Sequence, residues 1–210
     1  MASHDLNPML VGKPPHPLLV VISGPSGVGK DSILMRMRDV GFPFHFVVTA
    51  TSRPMRPAER PGYDYHFYTT EEFEALIAQD ELLEWANVYG HYKGIPKSEI
   101  RQALASGRDV VLRIDVQGAE TIRRLAPNAV LVFVAPGSFD ELRDRLQWRR
   151  TETPDEMERR LGVAQQEMGA LDQFDYVVFN REDRLDDAVG QIRAIVQAEK
   201  QRVRPRKVEL

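Results

Sequence analysis

The chain has 210 residues, 42% of them hydrophobic, with a formal net charge of −3 and no cysteine. That is enough apolar material for one domain with inserted lobes, and the balance excludes a general nucleic-acid or membrane-surface binder, so clustered basic residues serve small anionic ligands. A disulfide framework and a thiolate metal site are excluded, which fits a reducing compartment, and no apolar run approaches the roughly 20 residues of a membrane span. Residues 1–17 carry four prolines and lack an apolar h-region, so they are expected to form a loose arm and not a targeting peptide.

Leu18 to Ile22 is a short apolar run of the kind a buried strand shows, and Ile33, Leu34 and Met37 recur at helical spacing behind it. Between them stands Gly24-Pro25-Ser26-Gly27-Val28-Gly29-Lys30, the G-x-x-x-x-G-K pattern in the strand–loop–helix setting it requires. Glycines let the backbone wrap phosphate oxygens, the helix N-terminus presents N–H groups, and Lys30, read as lying on an exposed loop, adds a full charge. The pattern wants Ser or Thr after the lysine, to hold Mg²⁺; here Asp31 stands there, followed by Ser32, which can take over that role. Asp31 then either gains from the helix dipole or reaches metal-bound water.

Val47-Val48-Thr49 is expected to be a second strand, running into a proline-stiffened segment where Arg53 and Arg56 can grip one phosphate with guanidinium forks. The same segment also reads as a solvated linker. Thr70 is expected to cap a short helix carrying Phe73, Leu76 and Ile77; Leu82 to Val88 reads as a strand, and Ser98 as the cap of a helix ended by Gly107. These elements make a small mixed lobe. Asp109 to Asp115 restores the buried-strand pattern and ends on an acid that can be a cap or can orient Mg²⁺ waters. Ala129 to Val134 and Asp175 to Asn180 complete a five-stranded set, and strands alternating with helices imply a parallel sheet. Arg145 and Arg149 share a helical face, and Thr151-Glu152-Thr153-Pro154 breaks the helix before Arg159 and Arg160, a layout suited to a phosphate lid but also to a solvated face. Ile192, Ile195 and Val196 mark a last helix; Arg202 to Leu210 reads as a frayed tail.

Taken together, Ser23-Gly-Pro-Ser-Gly-Val-Gly-Lys30, Ser52-Arg-Pro-Met-Arg56, Gly62-Tyr-Asp-Tyr-His-Phe67, Leu83-Glu-Trp-Ala86 and Ile114-Asp-Val-Gln-Gly-Ala119 resemble the guanylate kinase family. The Gly-Lys-Asp and Tyr-Lys-Gly-Ile-Pro variants are similar to the organellar plant form. The resemblance implies an α/β fold of the P-loop nucleoside monophosphate kinase type, with a parallel five-stranded core sheet, an inserted mixed lobe that binds GMP, and a helical lid. It divides the chain into an arm (1–17), core (18–48), GMP lobe (49–106), core (107–136), lid (137–158), core (159–203) and flexible tail (204–210).

The resemblance also implies transfer of the γ-phosphoryl group of ATP to GMP with Mg²⁺. By motif position, residues 24–32 and Asn180 bind ATP; Thr49, Arg53, Arg56, Tyr65, Glu84, Lys93 and Asp115 bind GMP; Lys30, Arg145, Arg149 and Arg160 are catalytic; Ser32 and Asp115 address the metal. Lys93 stands where many members have a phosphate-binding tyrosine, so a contact there gains charge. The chain is expected to be cytoplasmic, a monomer or homodimer, without nucleic-acid or membrane partners. The alternatives are a small kinase with a sugar-phosphate acceptor, which would not need Tyr65 and Glu84, and a non-catalytic binding module of the same fold, against which Lys30 argues.

Overall fold

The computed structural model describes residues 16–88, 90–147 and 154–210. Its centre is β1 (Leu19–Ser23), whose five side chains are all buried. Successive side chains of a strand point to opposite faces, and here both faces are covered: Val20 and Ile22 join one apolar cluster, Leu19 and Val21 another. The apolar run is unbroken because neither face meets water. A loop leads from β1 into α1 (Lys30–Asp39), which buries Ile33 and Met37 against the first face.

The chain then forms β2 (His45–Phe46), the edge of the core sheet, and β3 (Ala50–Thr51), which belongs to a second sheet. Val47 to Thr49, expected as a strand, is the crossing between the two. Val47 N–H still bonds Val111 O at 3.1 Å, but Val48 N–H turns to the Glu99 carboxylate at 3.0 and 3.2 Å. The β-branched run therefore continues past the point where the sheet ends.

The second sheet adds β4 (His66–Phe67), β5 (Leu82–Val88) and β6 (His91–Pro96), in the order β4-β3-β6-β5. Its hydrophobic centre is Ala50, Phe73 and Leu82, with Phe73 stacked on Tyr92 at 5.3 Å between ring centroids. Phe73 comes from α2 (Thr70–Ala78), which is capped by Thr69 and not Thr70: the Thr69 hydroxyl accepts from Glu72 N–H and Glu72 accepts from Thr69 N–H. α3 (Lys97–Ala105) begins directly after β6, with Pro96 at its cap position, so Ser98 lies within the helix.

The core resumes with β7 (Val110–Arg113), α4 (Val116–Leu125) and β8 (Val130–Pro136), followed by α5 (Phe139–Gln147), α6 (Pro154–Met168), β9 (Tyr176–Asn180) and α7 (Leu185–Lys200). All five core strands run parallel, in the order β2-β7-β1-β8-β9. Because β1 continues on one side through β7 and on the other through β8, a crevice opens at its C-terminal end, where such sheets bind ligands. Among the described residues, no helix is long and apolar enough to cross a membrane.

Two findings depart further from expectation. Residues 204–210 are not frayed: Val208 and Leu210 pack on the second face of the core, Arg206 bonds Glu199 at 2.9 and 3.1 Å, and Lys207 O accepts from Asn128. In addition, one carboxylate ties the two sheets together. Glu99 pairs with His45 Nε2 of the core at 2.8 Å, with His66 Nε2 of the lobe at 3.2 Å, and with the crossing strand at Val48. Glu99→Ala strands the N–H of buried Val48 and frees both imidazoles, at about 1–3 kcal/mol for one unsatisfied buried group. Thermal denaturation should show a fall of several degrees, at about 2–4 °C per kcal/mol for a chain of this size; an unchanged midpoint would show that Glu99 holds nothing.

Candidate active site

The loop after β1 depends on two of its glycines. Gly24 has φ 137°, and a Cβ there would stand 2.2 Å from Val134 O of β8. Gly29 has φ 94°, and its Cβ would meet Asn180 Nδ2 at 2.5 Å. No L side chain fits either place. Lys30 is half-buried and not exposed as its position on a loop implied; its ammonium donates to Gly24 O at 2.5 Å and Pro25 O at 3.0 Å. Burial lowers its pKa, partly offset by Glu167, with Arg113 adding to the lowering. Val28 is buried beneath the loop, and its carbonyl accepts from Asn180 Nδ2 at 2.8 Å and Arg145 Nη1 at 3.1 Å.

A cavity of about 660 Å³ opens over this loop. Of the residues expected at ATP, Ser26, Gly27, Gly29, Lys30, Asp31, Ser32 and Asn180 line it, as does Arg145. Gly24 and Pro25 shape the loop through their carbonyls. Arg160, from α6, donates to Ser26 Oγ at 3.1 Å, while Glu167 of the same helix accepts from Ser26 N–H at 3.1 Å. A carboxylate thus sits on one of the backbone donors a phosphate would use. Arg149 lies outside the described residues. Asp31 does not project freely: its Oδ1 lies 2.5 Å from Arg113 Nη1, at the end of β7.

A second cavity, of about 460 Å³, lies between the lobe and the core. Thr49, Glu84, Lys93 and Asp115 line it, together with Trp85, Gly94 and Ile95 of the lobe sheet and Glu167 of α6. The β5–β6 register shifts between Leu82 and Glu84, and such a bulge re-aims the side chain that follows. Glu84 Oε2 is buried with no hydrogen-bond partner among the described residues. Burial, seconded by the charge of Asp115, raises the Glu84 pKa to about 7. Its room comes from Gly118 on α4, where a Cβ would stand 2.1 Å from Oε2. Asp115 caps α4 by accepting from Gly118 N–H at 2.8 Å, which leaves its other oxygen uncommitted to that bond.

Arg53, Arg56 and Tyr65 do not line this cavity but stand beside it. The Arg53 guanidinium lies 5.0 Å from the centre of the Tyr65 ring, and Lys93 Nζ 5.9 Å from the same ring. Arg53 is occupied by an internal anion: Glu59 takes both arms of its fork and the Arg56 N–H as well, which lowers the Glu59 carboxyl to about 2. Nothing in the local pattern of the sequence singled out Glu59 or Glu167. Arg113 did carry a signal, a charge at the end of an otherwise apolar strand. Ser32 and Asp115, expected to share a metal, line different cavities, and no group of three His, Asp or Glu side chains among the described residues is arranged to hold one.

The two cavities share Ser26, Lys30 and Arg113 and so meet at the lysine. A glycine loop at the switch point of a parallel sheet, with paired cavities meeting at its lysine, defines a P-loop kinase fold. Residues 16–199 match the guanylate kinase family profile, and the chain belongs to that family. It is 49% identical over 198 residues to "Guanylate kinase 2, chloroplastic/mitochondrial" of Oryza sativa subsp. japonica, across 94% of this chain and 70% of that one. It is 44% identical to the guanylate kinase of Dechloromonas aromatica (strain RCB), over 86% of this chain and 88% of its relative. The crystal structure of guanylate kinase from Anaplasma phagocytophilum matches with a TM-score of 0.68 at 29% identity, covering 91% of this chain and 89% of that one.

Proposed function

We propose that the chain transfers the γ-phosphoryl group of ATP to GMP, giving ADP and GDP. The observation that carries the reading is Glu84: a buried carboxylate oxygen without a partner, on the wall of the cavity that meets Lys30. Guanine offers N1–H and a 2-amino group side by side, and a carboxylate accepts both; adenine has an acceptor at N1. ATP takes the larger cavity, with its phosphates on the loop N–H groups, Lys30, Arg145 and Arg160, and Arg149 joining from the lid at 137–158. GMP takes the smaller, between the lobe at 49–106 and the core, with Thr49, Glu84 and Asp115 around the base.

Lys93 faces the acceptor phosphate, and Arg53 with Tyr65 and Arg56 completes the grip once phosphate replaces Glu59 on the fork. Arg–carboxylate and Arg–phosphate pairs use the same bidentate geometry, so phosphate can take the place of the Glu59 carboxylate on the fork. An oxygen of the GMP phosphate attacks the γ-phosphorus, the bond to the bridging β,γ-oxygen breaks, and ADP leaves with that electron pair. The side chains position and neutralise; none acts as nucleophile.

Mg²⁺ brought with ATP would be held by the Ser32 hydroxyl in the larger cavity, with Asp115, on the wall of the adjoining one, reaching it only through water. That ion keeps most of its waters and needs few protein ligands, and it supplies neutralisation of the phosphate oxygens.

A coupled assay with ATP and each of GMP, AMP, CMP and UMP tests the reading. GMP should be favoured by about 10²-fold or more, since a wrong base leaves Glu84 unpaired. Equal rates with AMP and GMP would overturn the specificity, activity on a sugar phosphate alone would favour the other kinase reading, and tight GMP binding without turnover would point to a binding module.

A further inference from the structure

Asp31 occupies the first turn of α1 and lines the larger cavity. An unpaired carboxylate there would repel a bound triphosphate. It is paired with Arg113, and the placement of Arg113 goes beyond what neutralising Asp31 requires. The parallel register sets Arg113 opposite Ile22, at the end of β1 from which the phosphate loop springs. It is one of the three residues, with Ser26 and Lys30, that line both cavities. Its side chain is 39% exposed, although the strand before it is fully buried. Asp31 is its only ion-pair partner among the described residues, and that pairing is made through Nη1. A guanidinium carries five N–H donors in a rigid plane, so the remaining ones are available at the junction of the cavities.

We infer that Arg113 is a catalytic cation of the transfer step, anchored on Asp31 so that its unused N–H groups contact the phosphoryl group passing between the two cavities. This rests on the kinase reading above. The transfer itself is unchanged, one P–O bond to ADP breaking as one to the acceptor phosphate forms; Arg113 stabilises the charge carried by the equatorial oxygens during it. Asp31 is a positioning residue, which gives an acid at this place in the loop a use.

The test measures kcat and KM for ATP and GMP in the full-length enzyme and in Arg113→Ala, Arg113→Lys, Asp31→Ala and the Asp31→Ala/Arg113→Ala double variant. Arg113→Ala is expected to lower kcat by about 10²–10³-fold, with each KM moving less than about tenfold, as for loss of a transition-state donor. Arg113→Lys keeps the charge without the fork and should fall between. Asp31→Ala, which only unties the anchor, should cost about 3–10-fold in kcat, the share of positioning. The double variant should be as slow as Arg113→Ala alone.

Recovery of the double variant to near the wild-type rate would overturn the proposal, since Arg113 would then only neutralise Asp31. An unchanged kcat in Arg113→Ala would overturn it as well. Should Arg113→Ala fail to fold, Arg113→Gln carries the same two outcomes. A wild-type enzyme without activity on GMP rejects the underlying kinase reading and this role with it; an active wild type beside an unaffected Arg113→Ala rejects the role alone.

Discussion

Lys30→Met is expected to lower kcat by about 10²–10³-fold without unfolding the protein, the range for removing a donor aimed at developing charge. In the loop the ammonium is held by the Gly24 and Pro25 carbonyls, half-buried, with its pKa lowered chiefly by desolvation. A lysine whose folded-state pKa is depressed opposes folding while it is charged. Wild-type stability therefore gains as pH rises from the lowered folded value towards the ordinary lysine value of 10.5, and the methionine variant lacks that gain. At neutral pH the variant is relieved of a desolvated charge, so its melting midpoint should not fall far even though two carbonyls lose a donor. Turnover in the coupled assay, set beside a thermal melt, decides the matter: near-wild-type turnover would make the loop a structural turn. A collapsed midpoint would mean that Lys30 holds the loop together.

Why some of this was legible and some was not follows from the range of the interactions. The strand, loop and helix around Lys30, the strand Leu82–Val88 and the five-stranded core are written in local periodicity, which burial on one or both faces imposes directly. The misplacement of the second strand was set by Glu99, 51 residues beyond Val48, taking the N–H that would have continued a ladder. The tail looks soluble because four of its residues from Arg202 to Lys207 are basic, yet Arg206 finds Glu199 and Val208 finds the core. Both are tertiary decisions.

In the site, residue types were legible and partners were not. Arg53 reads as a phosphate clamp or as part of a solvated linker; only the fold brings Glu59 onto its fork. Asp31 was recognisable as a departure from the loop pattern, but its meaning needed Arg113, which arrives from a strand 82 positions away and adjacent to β1 only through the sheet. Thr69 is a smaller case, where two neighbouring threonines have suitable chemistry and backbone conformation selects between them, while at α3 the cap position falls on Pro96, which offers no side-chain acceptor.

Glu84→Gln is expected to weaken GMP binding by about 10–100-fold at pH 8 while leaving ATP affinity unchanged, since the amide turns an N–H₂ towards one of guanine's two donors and leaves it unpaired, at about 1–3 kcal/mol. The wild-type affinity should itself depend on pH. Its carboxyl pKa lies near 7, raised by burial and then by Asp115, so below that pH the group is protonated and accepts poorly from one of the donors. GMP affinity should therefore fall as pH drops from 8 to 6, by up to about tenfold per unit once below the pKa, and the glutamine variant should show no such slope. Stability should move the opposite way. A carboxyl whose folded pKa is raised favours folding when protonated, so wild-type stability declines as pH rises from the ordinary glutamate value of 4.5 through about 7. Glu84→Gln should thus melt above the wild type at pH 8, with the difference vanishing near pH 4. Weaker binding together with higher stability at one pH is a pattern that general damage to the lobe cannot produce. Titration calorimetry with GMP at pH 6 and 8, beside melts at pH 4 and 8, reads both; a glutamine variant that kept wild-type affinity and the wild-type pH slope would remove Glu84 from the base site.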